Sequence, residues 1–153
     1  LPLVLRFFPL QKIYFGSKFT LSEIVYIWVS GAVTMLLVVN VLLKNMWGRA
    51  RPNDVSYFNG FQDFTPWYKI SDACSSNCSF VSGDSSVGFL LIVFYFITKK
   101  NTYLYLGLIL GSLLGFIRIA AGGHFFSDII FSQIVVTVTI LVSFVLYKKF
   151  YDK

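Results

Sequence analysis

Twenty consecutive residues without a charge, from Ile24 to Leu43, are the feature that most constrains this chain. At 1.5 Å per residue, a helix of that length crosses the roughly 30 Å hydrocarbon core of a bilayer. A second stretch, Ile129–Tyr147, has nineteen uncharged residues. Two more apolar runs reach a similar length if they are extended, one over Phe80–Thr98 and one over Tyr103–Ala121. The sequence therefore predicts an all-α, polytopic transmembrane helical bundle with four spanning helices.

The composition agrees with a membrane protein. Only 13% of the 153 residues are charged and 56% are hydrophobic, whereas about a quarter of the residues in a soluble domain are charged. The length suits one domain, residues 1–153, and Leu1–Leu5 looks like the tail of an earlier apolar segment. We therefore expect a single domain that lacks its amino-terminal helix or helices. A net charge of +6 on a soluble protein would suggest nucleic acid, but here the bilayer is the expected partner and nucleic acid is not.

The placement of the lysines predicts an orientation. Seven lysines fall on one side of the membrane if the four helices alternate in direction, and the positive-inside rule makes that side the cytoplasm. They are Lys12, Lys18, Lys99, Lys100, Lys148, Lys149 and Lys153. The opposite side then receives the long connection 44–79 and the short turn 122–127.

Four cations lie on this opposite side, against the positive-inside bias: Lys44, Arg49, Arg51 and Arg118. One explanation is that their long side chains reach up to lipid headgroups. The other is an anion-binding site. Because the four lie close together at the outer ends of two separate predicted helices, the sequence favours the anion site. For Arg49 alone, contact with phosphate or sugar and a headgroup anchor remain equally good explanations.

Cys74 and Cys78 fall in the same outer connection. An oxidising compartment would allow a disulfide between them, worth only about 2 kcal/mol for so short a loop. Two free thiols are the alternative. A zinc site is not expected, because no histidine or further cysteine is nearby in the sequence.

Several polar residues near the outer helix ends have the chemistry of a phosphate site. Lysine and arginine are permanent cations, and arginine can bind phosphate oxygens in a bidentate manner. Ser82 and Gly83 precede a helix, whose first backbone N–H groups favour an anion. The absence of a side chain at Gly83 lets the backbone approach a ligand closely. We expect Lys44, Arg51 and Arg118 to bind phosphate together with this turn.

His124 is the only histidine of the chain, and Asp128 follows it by four residues. A carboxylate in that position can hold the imidazole in one tautomer, which leaves the other ring nitrogen free to attack phosphorus. A lone histidine is more often a packed or interfacial residue. Here, however, Arg118 and Asp128 flank it within an apolar chain, where ionisable groups are costly and usually functional.

Gly107, Gly111 and Gly115 recur every four residues on one face of the third predicted helix. Small residues in this pattern are typical of close helix packing in membranes. Arg118 follows Gly111 by seven residues and so shares roughly that face. The pattern therefore predicts that Arg118 points into the bundle.

The three segments together resemble the type 2 phosphatidic acid phosphatase (PAP2) family, which shares its core with vanadium haloperoxidases. The family spacing is matched by Lys44-x6-Arg51-Pro52, Ser82-Gly83 and Arg118-x5-His124-x3-Asp128. The resemblance implies that the lysine, the two arginines and the Ser-Gly turn bind phosphate. It also implies that His124 is the nucleophile, that it forms a phosphohistidine, that Asp128 orients it, and that no metal or other cofactor takes part.

Two positions depart from the family pattern. Asp84 stands where the family has the histidine that is assigned to protonating the leaving group, and Ile117 replaces the serine before Arg118. Asp84 can act as the acid only if its surroundings keep it protonated. Burial and a nearby phosphate favour this, whereas lysine and arginine oppose it.

The residues that flank the motifs resemble those of the bacterial lipid A phosphatases, above all the 4′-phosphatase branch. Members of that branch often carry an acidic residue after Ser-Gly. This implies a phosphoric monoester hydrolase in the bacterial inner membrane, with its active site facing the periplasm. We expect it to act on lipid A, with the 4′-phosphate as the predicted position. Undecaprenyl diphosphate or phosphatidylglycerophosphate is an alternative substrate. The alternative that is not an enzyme is a catalytically inactive family member that only binds phospholipid.

Overall fold

The computed structural model describes residues 14–15 and 19–151, and these form a helical bundle. Lys12, Lys18, Lys153 and the Leu1–Leu5 segment, on which some expectations depend, lie outside this range. A short antiparallel pair, β1 (Tyr14–Phe15) and β2 (Phe19–Thr20), has Tyr14 opposite Thr20 and Phe15 opposite Phe19. The helices are α1 (Leu21–Asn45), α2 (Gly83–Phe89), α3 (Ile92–Thr98), α4 (Asn101–Ala120) and α5 (Phe126–Tyr151). The predicted all-α fold is confirmed.

Helix α1 begins at a capping box and changes its winding halfway along. The Thr20 hydroxyl accepts the Glu23 N–H, and the Glu23 carboxylate accepts the Thr20 N–H. From Val33 onward the helix has π-type hydrogen bonds, which close over five residues. Its buried positions accordingly recur every four residues before that point and every five after it, and the last is Lys44.

Three helices are long and apolar enough to cross a membrane: α1, α4 and α5. The fourth predicted span, from Phe80 to Thr98, is wrong in its extent. Residues 80–82 are buried but not helical, and helix starts only at Gly83. At 1.5 Å per residue, the 16 residues of Gly83–Thr98 reach about 24 Å even before the break between α2 and α3 is counted.

The glycine stripe of α4 packs as predicted. Gly107, Gly111 and Gly115 are all buried. A Cβ atom on Gly88 of α2 would come within 2.5 Å of the Gly111 Cα, and one on Gly111 would overlap the Phe89 ring. The backbones of α2 and α4 therefore cross in direct contact. The surrounding core consists of Tyr26, Phe89, Ile92, Val93, Ile129, Val136 and Ile140.

The two ends of the bundle differ in charge. At one end, which we call the lysine end, the ammonium groups of Lys99 and Lys148 lie 4.5 and 5.8 Å from the Phe144 ring centroid. The start of α1 is also there, since the Ser22 and Tyr147 hydroxyls lie 3.3 Å apart. The end of α1, the starts of α2 and α5 and the end of α4 meet at the opposite end, which we call the site end.

Candidate active site

His124 is buried at the site end, in the turn between α4 and α5, and 2% of it is exposed. Its Nδ1 atom lies 2.7 Å from the Ser79 carbonyl oxygen. A carbonyl can only accept a hydrogen bond, so Nδ1 carries the proton. In the neutral ring Nε2 then keeps its lone pair, and it has no hydrogen-bond partner among residues 19–151.

Asp128 lies beside this imidazole and is fully buried. Its Oδ2 atom is 3.6 Å from His124 Nδ1, which is longer than a hydrogen bond. The same oxygen accepts the Ser79 hydroxyl at 2.5 Å and the Phe125 N–H at 2.9 Å. Asp128, which was expected to orient the ring, is thus next to it but does not form the hydrogen bond that holds it. The hydrogen bond comes from the Ser79 carbonyl, while the carboxylate holds Ser79 and supplies negative charge nearby.

Arg49 completes the surroundings of Asp128. Its Nη1 donates to Asp128 Oδ1 at 2.5 Å and to the Ser127 hydroxyl at 2.8 Å, and its Nε donates to the Thr65 carbonyl at 2.9 Å. The guanidinium also lies 4.2 Å from the Phe125 ring centroid. Burial lowers the pKa of Arg49, and the negative charge of Asp128 counteracts that shift. Arginine stays charged in proteins.

The expected roles of Arg49 in binding phosphate, sugar or a lipid headgroup do not fit this geometry. Both roles need a guanidinium that reaches solvent, yet only 2% of Arg49 is exposed. Its donors are directed at protein groups. Arg49 is therefore a structural partner of the carboxylate beside the histidine.

Lys44 and Arg51 converge on one residue that the sequence did not single out as a site residue. The Lys44 ammonium donates to the Asn77 side-chain oxygen at 3.0 Å, and Arg51 Nη2 donates to the Asn77 backbone carbonyl at 2.8 Å. The charges of Arg51, Asp84, Arg118 and Asp128 all lie near enough to act on the Lys44 ammonium. The predicted cations thus share one region.

Ser82 and Gly83 lie at the start of α2, next to Lys44. The Ser82 hydroxyl accepts the Ser85 N–H at 3.4 Å and caps the helix, and the residue is fully buried. A Cβ atom on Gly83 would be 3.3 Å from Lys44 Cε. The glycine therefore lets the lysine side chain pass close to the backbone.

Arg118 reaches the site from the end of α4. Its Nε atom is 3.0 Å from Asp84 Oδ2, yet the two do not form a well-directed hydrogen bond. This Nε is buried and is the one such side-chain atom without a hydrogen bond among the described residues, so its contact with Asp84 is an ion pair only. The guanidinium also lies against Gly123, the neighbour of His124. As predicted, Arg118 points into the bundle, where its guanidinium contacts Asp84 and Gly123.

Asp84, the predicted acid, is 59% exposed at its side chain and lies beside Arg118. The burial on which its expected role as the acid depends is therefore absent. Its position on the first turn of α2 still places it next to the cations of the site.

Cys74 and Cys78 form a disulfide, with Cα atoms 5.7 Å apart. Of the two states left open by the sequence, the bonded one is present. The Cys78 N–H donates to the Lys44 carbonyl at 3.2 Å. The disulfide loop is therefore attached to the end of α1.

The 77–84 segment connects all of these groups. Asn77 contacts two cations, Ser79 contacts the histidine and its carboxylate, Gly83 lies beside Lys44, and Asp84 lies beside Arg118. Asn77 and Ser79 were missed as site residues because their roles depend on partners that are distant in sequence. Within the described part of the chain, no three His, Cys, Asp or Glu side chains are grouped to hold a metal ion.

Comparison with known proteins agrees with this architecture. The PAP2 superfamily pattern matches residues 24–152. A protein of Francisella tularensis subsp. novicida named lipid A 4′-phosphatase is 42% identical over 121 residues, which are 76% of this chain and 53% of that protein. Proteins with the same name from Rhizobium leguminosarum and Rhizobium etli are each 36% identical, over 62% and 61% of this chain and 42% and 38% of their own lengths.

The chain thus spans about half the length of the curated relatives that it matches, or less. No solved structure matches it significantly. The family match, in contrast, covers all three motifs and the helices that carry them. With the motif residues gathered at one end of a membrane-type bundle, this chain belongs to the PAP2 superfamily.

Proposed function

We propose that this protein is a membrane lipid phosphatase that hydrolyses a phosphomonoester of lipid A, at the 4′-phosphate, through a phosphohistidine. The observation that carries the proposal is that three cations share one region at the site end with a histidine whose Nδ1 is held by a backbone carbonyl. This leaves Nε2 as the nucleophile. We further propose that residues 1–153 act as a single domain.

The charges around the histidine suit a phosphate dianion. Arg49 pairs with the buried Asp128, so these two charges offset each other. Lys44, Arg51 and Arg118 then face the one carboxylate of Asp84, a formal surplus of two positive charges. A phosphomonoester carries about −1.5 to −2 charges at neutral pH. The guanidinium of Arg118 supplies donors for its oxygens.

In the first step, the Nε2 lone pair of His124 attacks phosphorus in line with the leaving oxygen. The N–P bond forms as the P–O bond to the sugar breaks, and the alkoxide takes a proton from a water that Asp84 binds, which leaves hydroxide. The imidazolium that results is stabilised by the Ser79 carbonyl and by Asp128. The hydroxide then attacks the phosphohistidine, which breaks the N–P bond, frees phosphate and restores the imidazole.

Lipid A is the substrate that the names of three relatives support. A polar cleft of about 450 Å³ beside the site also favours a sugar-bearing lipid. It is lined by Gln62, Asp63, Lys69 and Asp72, and it adjoins the site through Thr65, whose carbonyl accepts from Arg49. Hydroxyl and amide groups of a sugar could bond to these side chains.

The separation of the two ends supports the proposed location. The lysine end suits the cytoplasmic face and the site end the periplasmic face of a bacterial inner membrane. A periplasmic site would also meet the oxidising conditions in which a disulfide persists.

The decisive experiment compares wild-type protein with His124→Ala in membranes supplied with lipid A. We expect wild type to release phosphate and His124→Ala to release none. Rapid quenching of wild type at alkaline pH should trap phosphate on His124, which mass spectrometry detects. Phosphate release by His124→Ala would rule out the histidine as nucleophile.

One observation favours a second candidate. Asp84 is exposed and takes the place of the family's proton donor, which would suit a protein that binds phospholipid without cleaving it. A panel of purified lipid A, undecaprenyl diphosphate and phosphatidylglycerophosphate separates the candidates. Release from a substrate other than lipid A would change the substrate assignment, and binding without release from any would support the inactive form.

A further inference from the structure

Asn77 contacts the two predicted phosphate-binding cations at the same time. Its side-chain oxygen accepts from Lys44 Nζ at 3.0 Å, and its backbone oxygen accepts from Arg51 Nη2 at 2.8 Å. Its own N–H donates to the Asn45 side-chain oxygen at 3.3 Å. Side chain and backbone of this one residue therefore hold the end of α1 together with the start of the outer connection.

The backbone around Asn77 is constrained on both sides. The residue has φ = +49°, in the left-handed region that asparagine tolerates better than most residues. It lies inside the loop closed by the Cys74–Cys78 disulfide. Cys78 is fully buried and donates its N–H to the Lys44 carbonyl. The loop is thus tied to the same residue whose ammonium it binds.

The chemistry of these acceptors matters because both are neutral. A carboxylate in this position would bind the same cations but would cancel part of the charge that a phosphate needs. An amide oxygen and a peptide oxygen restrict the two long side chains and leave their charges intact. Free lysine and arginine side chains lose rotamer entropy when they bind a ligand, so restriction before binding favours the ligand.

We propose that Asn77, held by the Cys74–Cys78 disulfide, is a positioning residue that sets Lys44 and Arg51 for phosphate binding. This inference rests on the proposed function of the site. It assigns the disulfide a task in phosphate affinity in addition to the stability of the loop. Opening the disulfide lets Asn77 move and lowers phosphate affinity even though neither cysteine touches the ligand.

The test uses Asn77→Gly, because glycine adopts positive φ and keeps the backbone acceptor for Arg51 while it removes the acceptor for Lys44. Asn59→Gly is the matched control. Asn59 has φ = +69° in the same connection, and no hydrogen bond joins it to Lys44 or Arg51 among the described residues. The readouts are the Kd of inorganic phosphate by calorimetry in detergent, and KM and kcat for lipid A.

For Asn77→Gly we expect the phosphate Kd and KM to rise about tenfold, the change that corresponds to ~1.4 kcal/mol, with kcat altered less than about threefold. Asn59→Gly should match wild type. Asn77→Asp should also weaken phosphate binding, because its carboxylate competes with phosphate for Lys44. A purely structural role predicts less active protein with unchanged Kd and KM, and that result would overturn the proposal.

Reduction of wild type with dithiothreitol should raise the phosphate Kd in the same direction. The Cys74→Ser/Cys78→Ser variant should show a raised Kd without the reductant and no further response to it. An equal phosphate Kd before and after reduction would show that the disulfide does not contribute to phosphate affinity. Failure of wild type to hydrolyse any lipid phosphate would instead overturn the proposed function, since phosphate binding is measured separately.

Discussion

Replacing Arg49 by methionine removes the positive partner of Asp128, a carboxylate with no exposed surface. The Thr65 carbonyl and the Ser127 hydroxyl lose their donor in the same substitution. Methionine keeps much of the length and the apolar contact of the side chain. The change therefore tests the charge and the hydrogen bonds of the guanidinium and leaves the packing largely in place.

The magnitude follows from burial. Removing one partner of a buried ion pair costs about 3–5 kcal/mol, because the other charge stays buried without compensation. One kcal/mol moves the Tm of a protein of about 150–250 residues by roughly 2–4 °C. Arg49→Met should therefore lower Tm by roughly 6–20 °C. Adding Asp128→Asn to Arg49→Met should recover part of the loss, because it removes the unpaired charge.

Arg51 supplies the matched control, two residues along the same segment. It is half-buried and donates to the Asn77 carbonyl. Arg51→Met should change stability by about 1 kcal/mol or less. Its effect should appear in the KM for lipid A, which we expect to rise roughly 10- to 150-fold for the loss of a charge-assisted phosphate contact of about 1.5–3 kcal/mol.

Thermal unfolding in detergent micelles, followed by tryptophan fluorescence at one fixed scan rate, compares the variants. Phosphate release at several lipid A concentrations gives KM for each protein that remains folded. The assignment of Arg49 as a structural partner would be refuted if Arg49→Met melted like wild type and raised KM as Arg51→Met does.

Three further predictions concern other parts of the protein. Asp84→Asn should lower kcat for lipid A by a factor on the order of 10², the lower range for loss of a general acid, and an unchanged kcat would show that Asp84 has no part in proton delivery. Gly111→Ala should lower Tm, because its Cβ would overlap the Phe89 ring, whereas Gly31→Ala, with nothing within 4 Å, should not; equal Tm values would contradict the close crossing of α2 and α4. Dialysis against EDTA should leave phosphate release unchanged, and a loss restored by added Mg²⁺ would argue against the proposed role of the cationic side chains alone.

Local sequence was sufficient for the features that depend on local composition. The uncharged runs from Ile24 and from Ile129 predicted α1 and α5, because twenty apolar residues in a helix match the thickness of a bilayer. The glycine stripe on α4 predicted its close packing, because small residues let helix backbones approach each other. The order and spacing of the three motifs were likewise enough to predict the family. Each motif lies within a few residues of a helix end.

The start of α2 shows where local reasoning failed. Phe80 and Val81 are as apolar as a spanning helix requires, and they are buried. An apolar run predicts burial, but it does not distinguish helix from buried extended backbone. Packing of these two residues against Val39 of α1, together with the Ser82 cap, decides that the helix begins later.

The tertiary structure decided what each polar residue does. Arg49 and Arg51 are the same residue type two positions apart, yet one neutralises buried Asp128 and the other faces the candidate phosphate site. Ser79 has no motif of its own, but its carbonyl selects the tautomer of a histidine 45 residues later. Composition and spacing predict that charged groups meet, whereas burial and long-range hydrogen bonds decide which of them have charge left for a ligand.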